Sequence, residues 1–233
     1  MNFLTLERSS STPGAALYRD GTLLAATTFP AHPASLRASA PPRAAREDAR
    51  PPVPLDSWAS SVNALFVEAS VAPAELSAIL LAIGPGSFSG IRAAIAFAQG
   101  LALPHPHIKI LGVSTAAVIA WQELRLATEG ATCTVVGDAR REHIWQACFQ
   151  RTANGLSGGE IALHPYASWD TGRNACAPLS PDADRLLAIS ANPTDGKDAV
   201  ATFPSAEGLA TLYLADPDSF IENPLPIYLH NAV

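Results

Sequence analysis

Nine residues, Gly84-Pro85-Gly86-Ser87-Phe88-Ser89-Gly90-Ile91-Arg92, constrain this chain more than any other stretch. Ahead of them runs Ala78-Ile79-Leu80-Leu81-Ala82-Ile83, short, unbroken and apolar, the pattern of a strand buried on both faces. Behind them runs Ile91 to Leu101, rich in good helix formers. The unit reads as strand, glycine-rich turn, helix. Three glycines suit a turn that needs positive φ or close backbone approach, and Pro85 stiffens it. Two uses follow: a tight structural turn, or an anion held by the free N–H groups at the helix start.

Three familiar motifs do not fit. A phosphate loop requires G-x-x-x-x-G-K-[ST], and there is no lysine here. A dinucleotide fingerprint requires G-x-G-x-x-G and an acid about 20 residues on; the spacing here is G-x-G-x-x-x-G, and Ile108-Lys109-Ile110 downstream offers no acid. A nucleophile elbow requires G-x-S-x-G, and neither Ser87 nor Ser89 has a glycine two residues before it.

The remaining constraints are broad. The chain has 233 residues, room for one large domain or two small ones. Apolar residues make up 48% and charged residues 15%, enough for a sizeable core, and the net charge of −6 argues against a protein that grips nucleic acid by itself. Cys133, Cys148 and Cys176 show no spacing motif, and their odd count is that of reduced thiols in a cytoplasm. The first residues have no basic segment before an apolar core, so no signal peptide is expected. No run of about 18 apolar residues predicts a membrane span.

In chain order, Phe3, Leu4 and Leu6 begin a first strand, and residues 15–18 and 22–29 form a hairpin around Asp20-Gly21. Residues 30–54, rich in Pro, Ala and Arg, predict an extended surface loop. Its Arg37, Arg43, Arg46 and Arg50 are either solvated or a contact to RNA or an acidic partner. Asp56 or Ser57 caps a helix to about Ser70, with Trp58, Val62, Leu65, Phe66 and Ala69 on one face. A strand over 108–113 leads to a helix capped by Ser114. Strands follow over 133–137, 143–149 and 160–164, then a short helix over 181–189 and a helix starting at Ser205. Asp138 and Arg140 suit an ion pair at a turn. His105 and His107, two apart in a proline-rich link, suit a solvated loop better than a metal site.

The nonapeptide, with Ala98-Gln99-Gly100-Leu101-Ala102 after it, resembles the signature of the TsaB (YeaZ) family. The Asp138-Ala139-Arg140-Arg141 hairpin resembles the opening of that family's second half-domain. Pro226-Ile227-Tyr228-Leu229-His230 resembles its terminal Pro-x-Tyr-Leu-Arg, with His230 in place of arginine. The resemblance implies an α/β, actin-like (ribonuclease-H-like) fold of two half-domains, each of mixed sheet flanked by helices. Residues 1–106 would form the first, with the 30–54 loop, and 107–233 the second, its tail returning to the first. It departs at Glu7-Arg8-Ser9, where the family's first strand carries Asp-Thr-Ser; a bulky cation replaces a small hydroxyl, which weakens any case for nucleotide chemistry.

What the resemblance implies about function is a cytoplasmic, non-catalytic scaffold for tRNA N6-threonylcarbamoyladenosine synthesis. It would hold a TsaD-like catalytic subunit together with a TsaE-like ATPase, meet tRNA only through that complex, and need no metal or cofactor of its own. A homodimer in isolation is also allowed. In the family, two helices meet the partner, which makes Trp58, Val62 and Leu65 on one, and Arg92, Ile95, Ala96 and Gln99 on the other, the interface candidates. Arg92 has a second reading, as a side chain satisfying carbonyls of the glycine turn. The alternative function is a stand-alone hydrolase of the glycoprotease (M22 peptidase) type. H-E-x-x-H is absent, and Ser87 or Ser89 would need a histidine and an acid. A sugar or acetate kinase of the same superfold is a third option, against which the poor phosphate loops stand.

Overall fold

The computed structural model describes residues 1–29, 57–169, 184–188 and 200–229. The 30–54 loop, the Asp56 cap and His230 lie outside the described residues.

The first sheet is organised by β1 (Asn2–Glu7), whose residues alternate between two apolar layers. It pairs antiparallel with β2 (Gly14–Arg19), Leu4 opposite Leu17, and parallel with β4 (Leu76–Ala82), Leu4 beside Ile79. β2 continues antiparallel into β3 (Thr22–Thr28) through Asp20 and Gly21, both at positive φ (51° and 79°), the mirror-image turn that Asp-Gly favours. β4 pairs parallel with β5 (Lys109–Val113).

Two helices cover one face: α1 (Ser57–Glu68) and α2 (Phe88–Ala102). Val62, Leu65 and Phe66 of α1 and Ile91, Ala94, Ile95 and Ala98 of α2 share a core with Leu4, Leu6 and Leu17. The other face carries α3 (Thr115–Leu124) and α4 (Ala206–Ala215), which bring Val118, Trp121, Leu209 and Leu212 against Phe3, Ala78 and Leu80.

The second sheet repeats the plan. β6 (Thr132–Arg140), β7 (His143–Arg151) and β8 (Leu156–Pro165) form an antiparallel meander, β9 (Asp184–Ala188) pairs parallel with β6, and β10 (Val200–Ala201) pairs parallel with β9. The short helix expected over 181–189 is therefore a strand over its described residues: β6 offers an open edge, and pairing there overrides the local preference of Asp184-Arg185-Leu186-Leu187-Ala188. Cys148 on β7 is disulfide-bonded, so the expectation of reduced thiols fails there; pairing is set by which side chains the fold brings within reach, which spacing in sequence does not reveal.

The expected boundary at 106/107 falls just before β5, which belongs to the first sheet, and β11 (Ile221–Glu222) returns to pair with β5. Strand order is β11-β5-β4-β1-β2-β3 in one sheet and β10-β9-β6-β7-β8 in the other. Among the described residues, no helix is long and apolar enough to cross a membrane.

Candidate functional site

The glycine turn is clasped onto the end of β1, backbone against backbone. A Cβ on Gly86 would stand 2.2 Å from the Ser9 carbonyl oxygen, and one on Gly90 2.0 Å from that of Arg8. Ser87 N donates to Ser9 O at 2.7 Å. The helix start is capped from within: Ser87 Oγ accepts from Gly90 N at 3.3 Å, and Ser87 O accepts from Ile91 N at 2.9 Å. Gly84, at φ +107°, donates to Thr115 Oγ1 at 3.0 Å and accepts from Thr115 N at 2.7 Å, which ties the turn to α3. Of the two uses open in the sequence, close backbone approach accounts for Gly86 and Gly90.

The strand end beneath the turn holds an unusual carboxyl group. Glu7 is fully buried and accepts hydrogen bonds from Ser9 N at 2.6 Å, from Ser9 Oγ, and from Ser10 Oγ at 2.9 Å. Burial pushes its pKa up from 4.5 to about 7, and the serine donors pull only part of the way back. Arg8 points the other way, across aromatic faces. Its guanidinium lies 4.3 Å from the Trp58 ring centroid and 5.8 Å from that of Phe29. Burial lowers its pKa, against the opposing pull of Glu7, and its Nε is buried without a hydrogen-bond partner. Trp58 packs in turn on Phe29 and Phe97, at centroid distances of 5.9 and 4.7 Å.

The candidate interface residues divide sharply by burial. Val62 and Leu65 lie in the core, Ile95 is 8% exposed, and Trp58 is half-buried in the Arg8 stack. Arg92, Ala96 and Gln99 face solvent. The outward side of α1 is Ser60, Asn63, Ala64, Val67 and Glu68. Arg92 does not serve the turn carbonyls among its described contacts; its guanidinium lies 5.0 Å over the ring of Phe88, which is 57% exposed and sits 5.6 Å from the Tyr228 ring. Exposed Leu103 continues the strip past Gln99.

The family described as "TsaD: tRNA N6-adenosine threonylcarbamoyltransferase" matches residues 56–161, which include α1, the glycine turn and α2. The tRNA threonylcarbamoyladenosine biosynthesis protein TsaB of Escherichia coli (strain K12) is 28% identical over 180 residues, spanning 68% of this chain and 73% of that protein. Among solved structures, YeaZ from Pseudomonas aeruginosa superposes with a TM-score of 0.71 at 22% identity, over 98% of this chain and 99% of that one. The chain is similar to the TsaB (YeaZ) family. A second structure, described as an uncharacterized protein with similarity to peptidase YEAZ from Pseudomonas aeruginosa, gives 0.67 at 23% identity over the same shares. The fold is accordingly the mixed α/β, actin-like one that the resemblance implies.

Two features of the chain escaped sequence reasoning. The first is the Arg8–Trp58 stack. Only the departure from Asp-Thr-Ser signalled it, since residues 50 apart give no local sign of contact. The second is the β6–β7 hairpin tip, where Arg140, Arg141 and Glu142 all take positive φ (64°, 52° and 60°). Each left-handed non-glycine residue costs about 1–2 kcal/mol. Asp138 holds the tip: its Oδ1 accepts from Arg140 N and from Tyr166 OH, both at 2.7 Å, and its Oδ2 pairs with the Arg140 guanidinium at 3.2 Å. The ion pair expected at this turn is present.

Proposed function

We propose that this chain is a non-catalytic subunit that docks a TsaD-like catalytic subunit through the exposed faces of α2 and α1, with a TsaE-like ATPase joining the assembly. A role in tRNA threonylcarbamoyladenosine biosynthesis follows from TsaB kinship. The observation that carries the docking surface is the solvent-facing stripe Arg92-Ala96-Gln99, one helical turn apart at each step, with an alanine at its centre that lets another helix approach closely. Continuation of the stripe through Phe88 and Leu103 supplies apolar area at either end. The four-residue remainder of the expected set is set aside, because Val62, Leu65 and Ile95 are already used by the core and Trp58 by Arg8.

The non-catalytic reading is supported by the strand end. The acid there, Glu7, is sealed and occupied by two serines, and the cation beside it is folded against Trp58. Serine hydrolysis finds little support: Ser87 Oγ is engaged as a helix cap. Contact with tRNA comes through the complex, the location is the cytoplasm, and the isolated chain has the same face available for a homodimer.

The test is Ala96→Glu. Titration calorimetry against the TsaD-like subunit of the same organism should show binding to the wild type and its loss in the variant, with circular dichroism unchanged. Undiminished binding would place the contact elsewhere. Turnover of ATP or peptide by the chain alone, abolished by Ser87→Ala or Ser89→Ala, would overturn the scaffold reading.

A further inference from the structure

The Arg140–Arg141 tip has no part in that docking surface, yet it is the most constrained turn among the described residues. Three successive residues are left-handed without a glycine among them. Besides Asp138, the tip is pinned by Tyr166 N donating to Glu142 O at 2.9 Å and by His143 Nδ1, 2.6 Å from Arg141 O. The fold thus fixes a backbone shape that the side chains do not favour. What it presents is the sole pair of adjacent cations in the sequence. Both arginines are exposed; Arg140 is held in place by Asp138, and Arg141 has no ion pair among the described residues.

We propose that the Arg140–Arg141 tip contacts the phosphate backbone of the tRNA directly when the chain is in its complex. The proposal rests on the reading of this chain as a subunit of the tRNA-modifying assembly, and goes beyond it by adding an RNA contact on the scaffold itself. A guanidinium fork matches phosphate oxygens in two parallel hydrogen bonds. An exposed arginine–carboxylate contact gains little in water, whereas a phosphate contact also releases condensed counterions. RNA therefore fits two exposed arginines better than an acidic protein does. The chain's net charge of −6 and the neighbouring Glu142 keep the contact weak, so that it acts within the complex, where the partner raises the local RNA concentration.

The experiment is anisotropy of a fluorescein-labelled unmodified tRNA transcript titrated with the reconstituted complex over a series of salt concentrations. Arg140→Ala with Arg141→Ala should weaken binding and flatten the slope of log K against log salt by about 1–2, one to two phosphate contacts' worth. The paired lysine variant should keep most of the slope, and Glu142→Gln should tighten binding. Calorimetry on the same proteins should show unchanged docking of the TsaD-like subunit. Equal affinity and slope in wild type and double alanine variant would overturn the proposal. So would loss of docking in that variant, which would assign the tip to an acidic protein surface. Failure of the wild-type chain to form a complex sinks the scaffold reading, and with it a contact proposed within the complex; equal affinity and slope in a complex that does form overturns the RNA contact alone.

Discussion

Glu7 combines full burial with a pKa pushed up to about 7. The sign follows from linkage. The folded-state value lies above the ordinary 4.5, so the stability associated with the neutral carboxyl is fully present below about pH 4.5 and is lost as pH rises through about 7. The displacement is equivalent to about 3 kcal/mol. Glu7→Gln cannot ionise, and its melting profile should therefore be flatter: urea denaturation at pH 4.5 and pH 8 should show the wild type losing about 3 kcal/mol relative to the variant. A constant difference between the two would mean that the serine donors, not burial, dominate. Gly90 offers a second test beside it. Gly90→Ala drives a Cβ into the Arg8 carbonyl and should cost about 3 kcal/mol by denaturant melt; a neutral effect would show that the turn shifts freely off β1. At this scale the sequence carried the identity of the unusual residues but not their surroundings. Glu7-Arg8 stood out against the family pattern, while the burial of one and the aromatic stacking of the other depend on chain segments far away.

Elements with a local signature were the legible ones. Asp20-Gly21 marked a hairpin because both residues tolerate the left-handed region that the turn demands. Ser114 and Ser205 marked helix starts because a hydroxyl satisfies an N–H that the helix leaves open: Ser114 Oγ accepts from Ala116 N at 3.2 Å and Ser205 Oγ from Gly208 N at 2.9 Å. β9 was illegible because its pairing with β6 is a property of the sheet. The outward stripe of α2 was half legible: polar Arg92 and Gln99 pointed it out, but Ile95, in the same helical register, turns into the core. Ser205 also carries a tertiary load, since its N and Oγ both donate to Gln122 Oε1 on α3, at 2.8 and 2.9 Å. Ser205→Ala should therefore cost more than a simple cap, about 2 kcal/mol by thermal or urea melt. A loss of only a few tenths would mean that α4 holds its start without the hydroxyl.

The whole molecule is joined through α3. Its sequence, Thr-Ala-Ala-Val-Ile-Ala-Trp-Gln-Glu-Leu, is apolar on nearly every side, which suits a helix with no solvent face. Val118 and Trp121 pack on the first sheet's layer, while Ala116, Ile119, Ala120 and Leu124 pack on Cys133, Val135, Trp145 and Phe149 of the second. Polar contacts add to this: Trp121 Nε1 donates to Thr211 Oγ1 at 3.2 Å and Gln122 Nε2 to Phe203 O at 2.9 Å. A helix shared in this way couples the two sheets, because neither keeps its core once α3 leaves. The chain should therefore unfold in one transition, with amide exchange in β1 and β4 and in β6 and β7 reporting the same opening free energy. Ile119→Ala removes a fully buried side chain from the second sheet's side of α3 and should cost about 3 kcal/mol. The decisive outcome is where that loss appears. If α3 couples the sheets, protection falls by the same amount in β1 and β4, which Ile119 is not clustered with, as in β6 and β7. A fall confined to the second sheet would show two units that fold separately and merely share a wall.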